Sequence, residues 1–216
     1  MNNFPQTSRN TVKRSPKRGH YDRETIYPIL DAGYICHVGF SVDGQPYALP
    51  NAYGREGDII YLQGAVGNRM LNQLEKGIPV CITVTHTDGM VLARSAMHHS
   101  FNYRSAMLFG TARWVPEEQK NHALRVITEQ ILKGRWDEVR PPSDQELKAT
   151  KVLAVAIEEA SAKVRTGPPK DDEADYDLPV WAGVLPLRQV ADIPVPDPAM
   201  SQELTVPDSI RSFRRT

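Results

Sequence analysis

Between Tyr34 and Val115 the apolar residues come in short runs cut by glycine-bearing polar turns, a period that predicts strands rather than helices. Tyr34 to Phe40 is followed by Asp43-Gly44 and a returning run, Gln45 to Pro50, the pattern of a tight hairpin. Asp58 to Leu62 follows a turn at Arg55 to Gly57 and is expected to pair with Tyr47 to Leu49. Val80 to His86, a second Asp-Gly pair at Asp88-Gly89, and Met90 to Ala96 predict another hairpin. Met107 to Val115 adds a strand entered through the polar run His98 to Ser105. Short antiparallel strands with the longest helix only afterwards imply a barrel or sandwich.

Helical spacing appears in four places. Asp22 to Leu30 presents Ile26, Ile29 and Leu30 on one face despite Pro28. Arg69 to Lys76 presents Met70, Leu71 and Leu74, with Gly77 beyond its end. Pro116 opens a longer helix whose stripe is Ala123, Val126, Ile127 and Ile131, with Glu117 and Glu118 in its first turn and Lys133 before Gly134. Ser143 and Glu146 form a capping-box pattern for a short helix ending near Thr150. Val152 to Ile157, apolar throughout, is expected as the final strand, buried on both faces. Residues 1–20 are basic, without an acid up to Gly19, and are read as a flexible or subunit-wrapping extension; residues 188–216 are read as a tail.

Lys and Arg balance Asp and Glu at 26 each, which removes the global charge that nucleic-acid or acidic-membrane binding would need. The chain shows no apolar run of membrane-spanning length and no secretory signal pattern, and a cytoplasmic placement is expected. Cys36 and Cys81 lie in apolar strand-like runs and are expected as reduced thiols.

Candidate chemistry collects at two polar clusters. In LPNAYGREGDIIYLQGAVGNRMLNQL, Leu49 to Leu74, a strand breaks at Gly64 and Gly67-Asn68 opens a helix at Arg69, an arrangement that suits a phosphate. The alternative is that Asn68 only caps the helix and Arg69 is solvated. In HHSFNYRS, His98 to Ser105, Tyr103 and Ser105 share one strand face and Arg104 takes the other. His98 and His99 diverge on a strand and lack a neighbouring carboxylate or cysteine at ligand spacing, so no metal site is expected. Ser100 and Cys36 lack a positioned base, and neither GxGxxG nor GxxxxGK[ST] occurs.

The order IIYLQGAVGNRMLNQLEKGIPVCITVT, DGMVLARSAMHHSFNYRSAMLFGTARWV, AKVRTGPP and VWAGVLPL resembles the pyridoxamine 5'-phosphate oxidase-like family, and within it the flavin-nucleotide-binding branch with nitroimidazole-resistance proteins. The resemblance covers residues 21–187. It implies a mainly β, α+β fold, an FMN-binding split β-barrel with flanking helices, and a homodimer with FMN in the clefts between subunits. By position it implies the phosphate near Asn68 and Arg69, with Arg104 and Ser105, and the isoalloxazine against Asn51, Ala52, Tyr53, Gln63, Gly64 and Ala65. His99 and Tyr103 would line the rim, and Trp181 would come from the other subunit. Gln63 stands where nitroimidazole-resistance sequences often carry His, and Gln cannot titrate near neutral pH. No catalytic side chain is assigned. The expectation is an FMN oxidoreductase passing hydride from a reduced nicotinamide donor to a small organic acceptor or oxygen. Its alternatives are non-catalytic flavin binding or sensing, or haem binding with His86, His98 or His99 as axial ligand.

Overall fold

Asp43 and Gly44 both take positive φ, 51° and 79°, the backbone of a tight hairpin turn, and the strands they join are those expected from the pattern. The computed structural model describes residues 2–200 and 204–213. Its first half runs through β1 (Gly19–His20), α1 (Arg23–Asp31), β2 (Ile35–Val42), β3 (Gln45–Glu56), β4 (Ile59–Ala65), α2 (Arg69–Leu74) and β5 (Pro79–Leu92). The second half runs through β6 (Ser100–Trp114), α3 (Glu117–Ile131), α4 (Asp144–Ala149), β7 (Thr150–Ala156), β8 (Glu159–Arg165), β9 (Gly183–Pro186) and α5 (Asp208–Arg211). These elements fall into two units. One holds the residues up to Gly33, Cys81–Phe109 and Glu158–Arg188; the other holds Tyr34–Val80, Gly110–Ile157 and the described residues from Gln189 on.

In the first unit β1, β8, β6, β5 and β9 follow one another by hydrogen bonding. Tyr103 pairs with Arg165 and Ser105 with Lys163, so these four residues share one face of the β6–β8 ladder. Asp22 caps α1 through Thr25 N, and Ile26, Ile29 and Leu30 are its buried face, as the spacing predicts. Residues 2–20, read as an extension, pack on this unit. Phe4 is buried, Asn10 Nδ2 donates to the Ala160 carbonyl, Arg9 pairs with Glu159, and β1 joins β8. The polar run from Ser100 belongs to β6 itself.

The second unit carries the antiparallel order β2, β3, β4, β7, with the end of β6 beside β7. β3 pairs with β2 through Gln45–Ala52 and with β4 through Tyr53–Glu56, so the β4 partner is the later half of the strand and not Tyr47 to Leu49. Helix α3 covers this sheet. Tyr61, Val115, Ala123, Leu124, Ile127 and Val152 form the core between them, while Ile131, expected in the stripe, is 43% exposed. Gly54 is required there, because a Cβ on it would stand 2.7 Å from the Ile127 backbone. The capping box at Ser143 and Glu146 forms as read. The expected tail also joins this unit: Gln189 donates to the Tyr34 hydroxyl, and Ser209, in α5, donates to Glu138. Residues 201–203 and 214–216 of that tail lie outside the described residues.

Two expectations fail for identifiable reasons. Asp88-Gly89 makes no hairpin: β5 runs unbroken through both residues, Gly89 is not among the glycines of positive φ, and it pairs with Pro186 of β9. Asp88 instead faces Arg104. Nor is the 152–157 strand the last, since β8 and β9 follow it; the alanines and charges of EASAKVR hide β8 from a hydrophobic pattern. Cys36 and Cys81 are free thiols, and burial pushes the Cys36 thiol up to about 12. Among the described residues no helix is long and apolar enough to cross a membrane, and no group of three or more His, Cys, Asp or Glu is placed to hold a metal ion.

Gly54→Ala is expected to lower stability by about 2 kcal/mol, a drop of roughly 4–8 °C in Tm, because the opposing atoms are helix backbone. A thermal melt checks this. A second prediction concerns Asp171, whose carboxylate meets the Arg94 guanidinium at 2.9 Å and the Arg94 amide at 3.0 Å. Burial pushes this carboxyl up, but the Arg94 hydrogen bonds outweigh it and hold it below its ordinary range. Its contribution is therefore present in full above the ordinary carboxylate pKa and lost as pH falls through the lowered value. Asp171→Asn should lower Tm at pH 7, and the gap from the parent should close below about pH 4; a gap constant with pH would contradict the assignment.

Candidate functional site

The residues from Asn51 to Arg69 that the sequence singles out all belong to the second unit. Asn51 Nδ2 donates to the carbonyls of Ala52 at 2.8 Å and Gln63 at 3.3 Å, which ties β3 to β4 next to the break in that strand. Tyr53 is wholly buried and its side chain serves the core, so at this position the backbone is what a ligand could meet. Gln63 lines an open cavity of about 490 Å³ with Leu124, Thr128, Trp136, Arg140 and Thr150. Gly64 permits the chain to fold back, since a Cβ there would lie 3.0 Å from Asn68 Nδ2 and Leu71 Cδ1. Ala65 is exposed at the strand end.

Asn68 caps α2 by accepting from Leu71 N at 3.1 Å, the plainer of its two readings. With six residues α2 has little dipole to offer, so positive charge at this turn comes from Arg69. Arg69 is exposed. Its guanidinium lies 5.3 Å from the Tyr47 ring and donates to the Tyr47 hydroxyl at 3.1 Å, and no carboxylate of a described residue neutralises it. Tyr47 is itself stacked on Phe40, which holds this cation in place without cancelling its charge.

His99, Tyr103, Arg104, Ser105 and Trp181 belong to the first unit. Arg104 makes a two-pronged contact with Asp88, Nε to Oδ2 at 3.0 Å and the terminal amine to Oδ1 at 2.9 Å. That hydrogen-bonded pairing raises the guanidinium above its ordinary range, and it removes Arg104 as a source of net charge for a phosphate. His99 Nδ1 lies 3.0 Å from the Ser95 carbonyl, which leaves Nε2 directed away. Met97 and Phe101, exposed by 87% and 51%, flank it in sequence. Trp181 is 69% exposed, and its indole lies over Gly183, where a Cβ would come within 3.0 Å of the ring.

Pattern reading missed the residues that carry charge on the Tyr103 and Ser105 face. Lys163 and Arg165 alternate along β8 and share that face by register. The signal was present as K-V-R, a period-2 cationic pair, but it lay in a segment not read as a strand.

Residues 22–164 match the sequence profile of the pyridoxamine 5'-phosphate oxidase family. Among solved structures the chain is similar to the flavocytochrome Anf3 of Azotobacter vinelandii, with 41% identity, coverage of 97% of this chain and 98% of that one, and a TM-score of 0.90. A FAD and haem binding protein of Mycobacterium smegmatis shares 36% identity over 90% of this chain and 96% of its own, with a TM-score of 0.87. A candidate 5-nitroimidazole antibiotic resistance protein of Bacteroides thetaiotaomicron shares 28% identity over 68% of this chain and 86% of its own, with a TM-score of 0.58. Among curated proteins no match is found. The antiparallel β architecture with few helices is the split-barrel-like fold, and by sequence profile and by structure the chain belongs to the pyridoxamine 5'-phosphate oxidase family.

Proposed function

We propose that this protein is a redox carrier or oxidoreductase that holds a flavin and a haem. What supports the reading is its likeness, nearly end to end, to a flavocytochrome and to a protein described as binding FAD and haem. The resemblance of the sequence pointed to FMN; the Mycobacterium smegmatis relative turns the choice toward FAD, which shares the isoalloxazine and an anionic phosphate end. A bound flavin would supply hydride or single-electron transfer, and a bound haem one-electron transfer.

The residues fit both groups. Arg69 presents a guanidinium held by Tyr47 and un-neutralised by any described residue, a donor suited to a phosphate. The chain around Asn51, Gln63 and Gly64 offers polar edges beside the strand break. For haem, His99 has the arrangement of a ligating imidazole: one ring nitrogen faces a backbone carbonyl, the other has no partner among the described residues, and exposed Met97 and Phe101 lie two residues away on either side in sequence. His86 Nε2 is instead engaged by the Ile29 carbonyl at 2.8 Å, and His98 Nε2 stands 3.5 Å from Asp172. No side chain is assigned to proton transfer, which leaves flavin binding without turnover as the second reading. Hydride donation by a reduced nicotinamide to a small organic acceptor or oxygen, association of two copies and cytoplasmic residence complete the proposal.

The purified protein should show flavin absorption together with a Soret band. Arg69→Ala should release flavin, with affinity weakened on the order of 10-fold or more, while far-UV circular dichroism stays unchanged; full flavin retention removes Arg69 from the site. His99→Ala should abolish the Soret band and spare the flavin; a retained band moves the ligand to another histidine, such as exposed His37. Anaerobic addition of NADH or NADPH should bleach the flavin, and no bleaching by either would favour binding without turnover.

A further inference from the structure

Three cationic side chains are buried among the described residues: Lys120, Lys151 and Arg165. Two have a carboxylate, since Lys120 meets Glu117 at 2.7 Å and Lys151 meets Glu75 at 2.6 Å. Arg165, 7% exposed, has none. Its guanidinium donates to the side-chain carbonyl of Asn102 and to the backbone carbonyls of Gly167 at 3.3 Å and Pro168 at 3.4 Å, all neutral acceptors. Its Nε is buried with no hydrogen-bond partner among the described residues. A buried, unpaired charge costs several kcal/mol in general, and a donor left unmade adds to that.

The surroundings increase the deficit. Arg18 is close enough for its charge to oppose that of Arg165, and Lys163 shares the same face of the β6–β8 ladder. Neither Arg18 nor Lys163 makes an ion pair with a described residue. Tyr103 and Ser105 add hydroxyl groups to this face, opposite Arg165 and Lys163 in register. Both are half-buried. This face thus carries a planar guanidinium, an ammonium and the Tyr103 hydroxyl, with the Arg18 charge near enough to act on Arg165, while the Ser105 hydroxyl donates to the Lys163 carbonyl at 3.4 Å; such donors suit a dianion better than a single carboxylate.

We propose that Arg165, with Lys163, Arg18 and Tyr103, forms a binding site for a phosphate or pyrophosphate group. The site is separate from Arg69 and does not depend on which cofactor the chain carries. Asn102 and the Gly167-Pro168 carbonyls hold the guanidinium by its two terminal amines and leave the buried Nε as the donor still to be met.

The test uses the full chain as purified, then after high-salt washing and exchange into low salt, with inorganic pyrophosphate as probe and sodium chloride or tricarballylate at matched ionic strength as controls. Pyrophosphate should raise the Tm of the washed protein by about 5 °C at saturating concentration, and the controls should not. Arg165→Met should weaken pyrophosphate binding on the order of 30-fold. It should leave the Tm in the absence of anion unchanged or higher, which a merely structural arginine would not do. If the washed protein still carries a phosphate-bearing molecule other than a flavin, acid release should find it in the parent and not in Arg165→Met. Should Arg165→Met fail to fold, Lys163→Met, at a half-buried strand position, serves in its place with the same expected loss. Equal pyrophosphate response and equal phosphate content in parent and variant would overturn the proposal. So would an equal Tm rise with tricarballylate, which would make this a carboxylate site.

Discussion

A cation removed from water must meet an anion, and much of this molecule can be understood from where that condition is met and where it is not. Lys120 and Lys151 each hold a carboxylate, Arg94 holds Asp171, and Arg104 holds Asp88. Arg69 and Arg165 hold none among the described residues; one is supported by the Tyr47 hydroxyl and the other by neutral carbonyls. Among the described buried cations Arg165 alone is left with neutral acceptors, and Arg69, though exposed, is held by Tyr47 with its charge uncancelled, so both stand at positions suited to an anionic ligand. The balanced overall charge makes the contrast informative, because no general excess of basic residues explains it.

The strands create these positions by changing partners along their length. β3 belongs to the β2 ladder up to Ala52 and to the β4 ladder from Tyr53. β6 pairs with β8 over Tyr103–Phe109 and with β7 over Ala112–Trp114. Gly110 lies at that handover, where a Cβ would fall 2.1 Å from the Ala156 carbonyl, so only glycine fits. Where a ladder changes partner, backbone polar groups and side chains leave the regular pattern, and Asn51 and Gln63 stand beside one such change.

The fold was largely legible because its signals are local. Asp43-Gly44, the capping box at Ser143, the helix faces of α1 and α2 and the apolar run of β7 depend on nearest neighbours and on burial. Asp88-Gly89 misled because the same dipeptide serves a turn or a long-range salt bridge, and only Arg104, distant in sequence, decides which. β8 was hidden by small and charged residues, and with it the cationic face of Lys163 and Arg165. The candidate site was legible as residue types, but not as charge: Arg104 and Arg69 look alike in the sequence, and their difference lies wholly in whether an aspartate reaches them.

The central claim is that this chain is built to hold anionic redox cofactors, and it is tested most directly by denaturing the purified protein and identifying what it releases. Mass spectrometry with quantitation against total protein should find about one flavin nucleotide and about one haem per chain. Release of neither, with none taken up when both are offered in excess to the folded protein, would contradict the account.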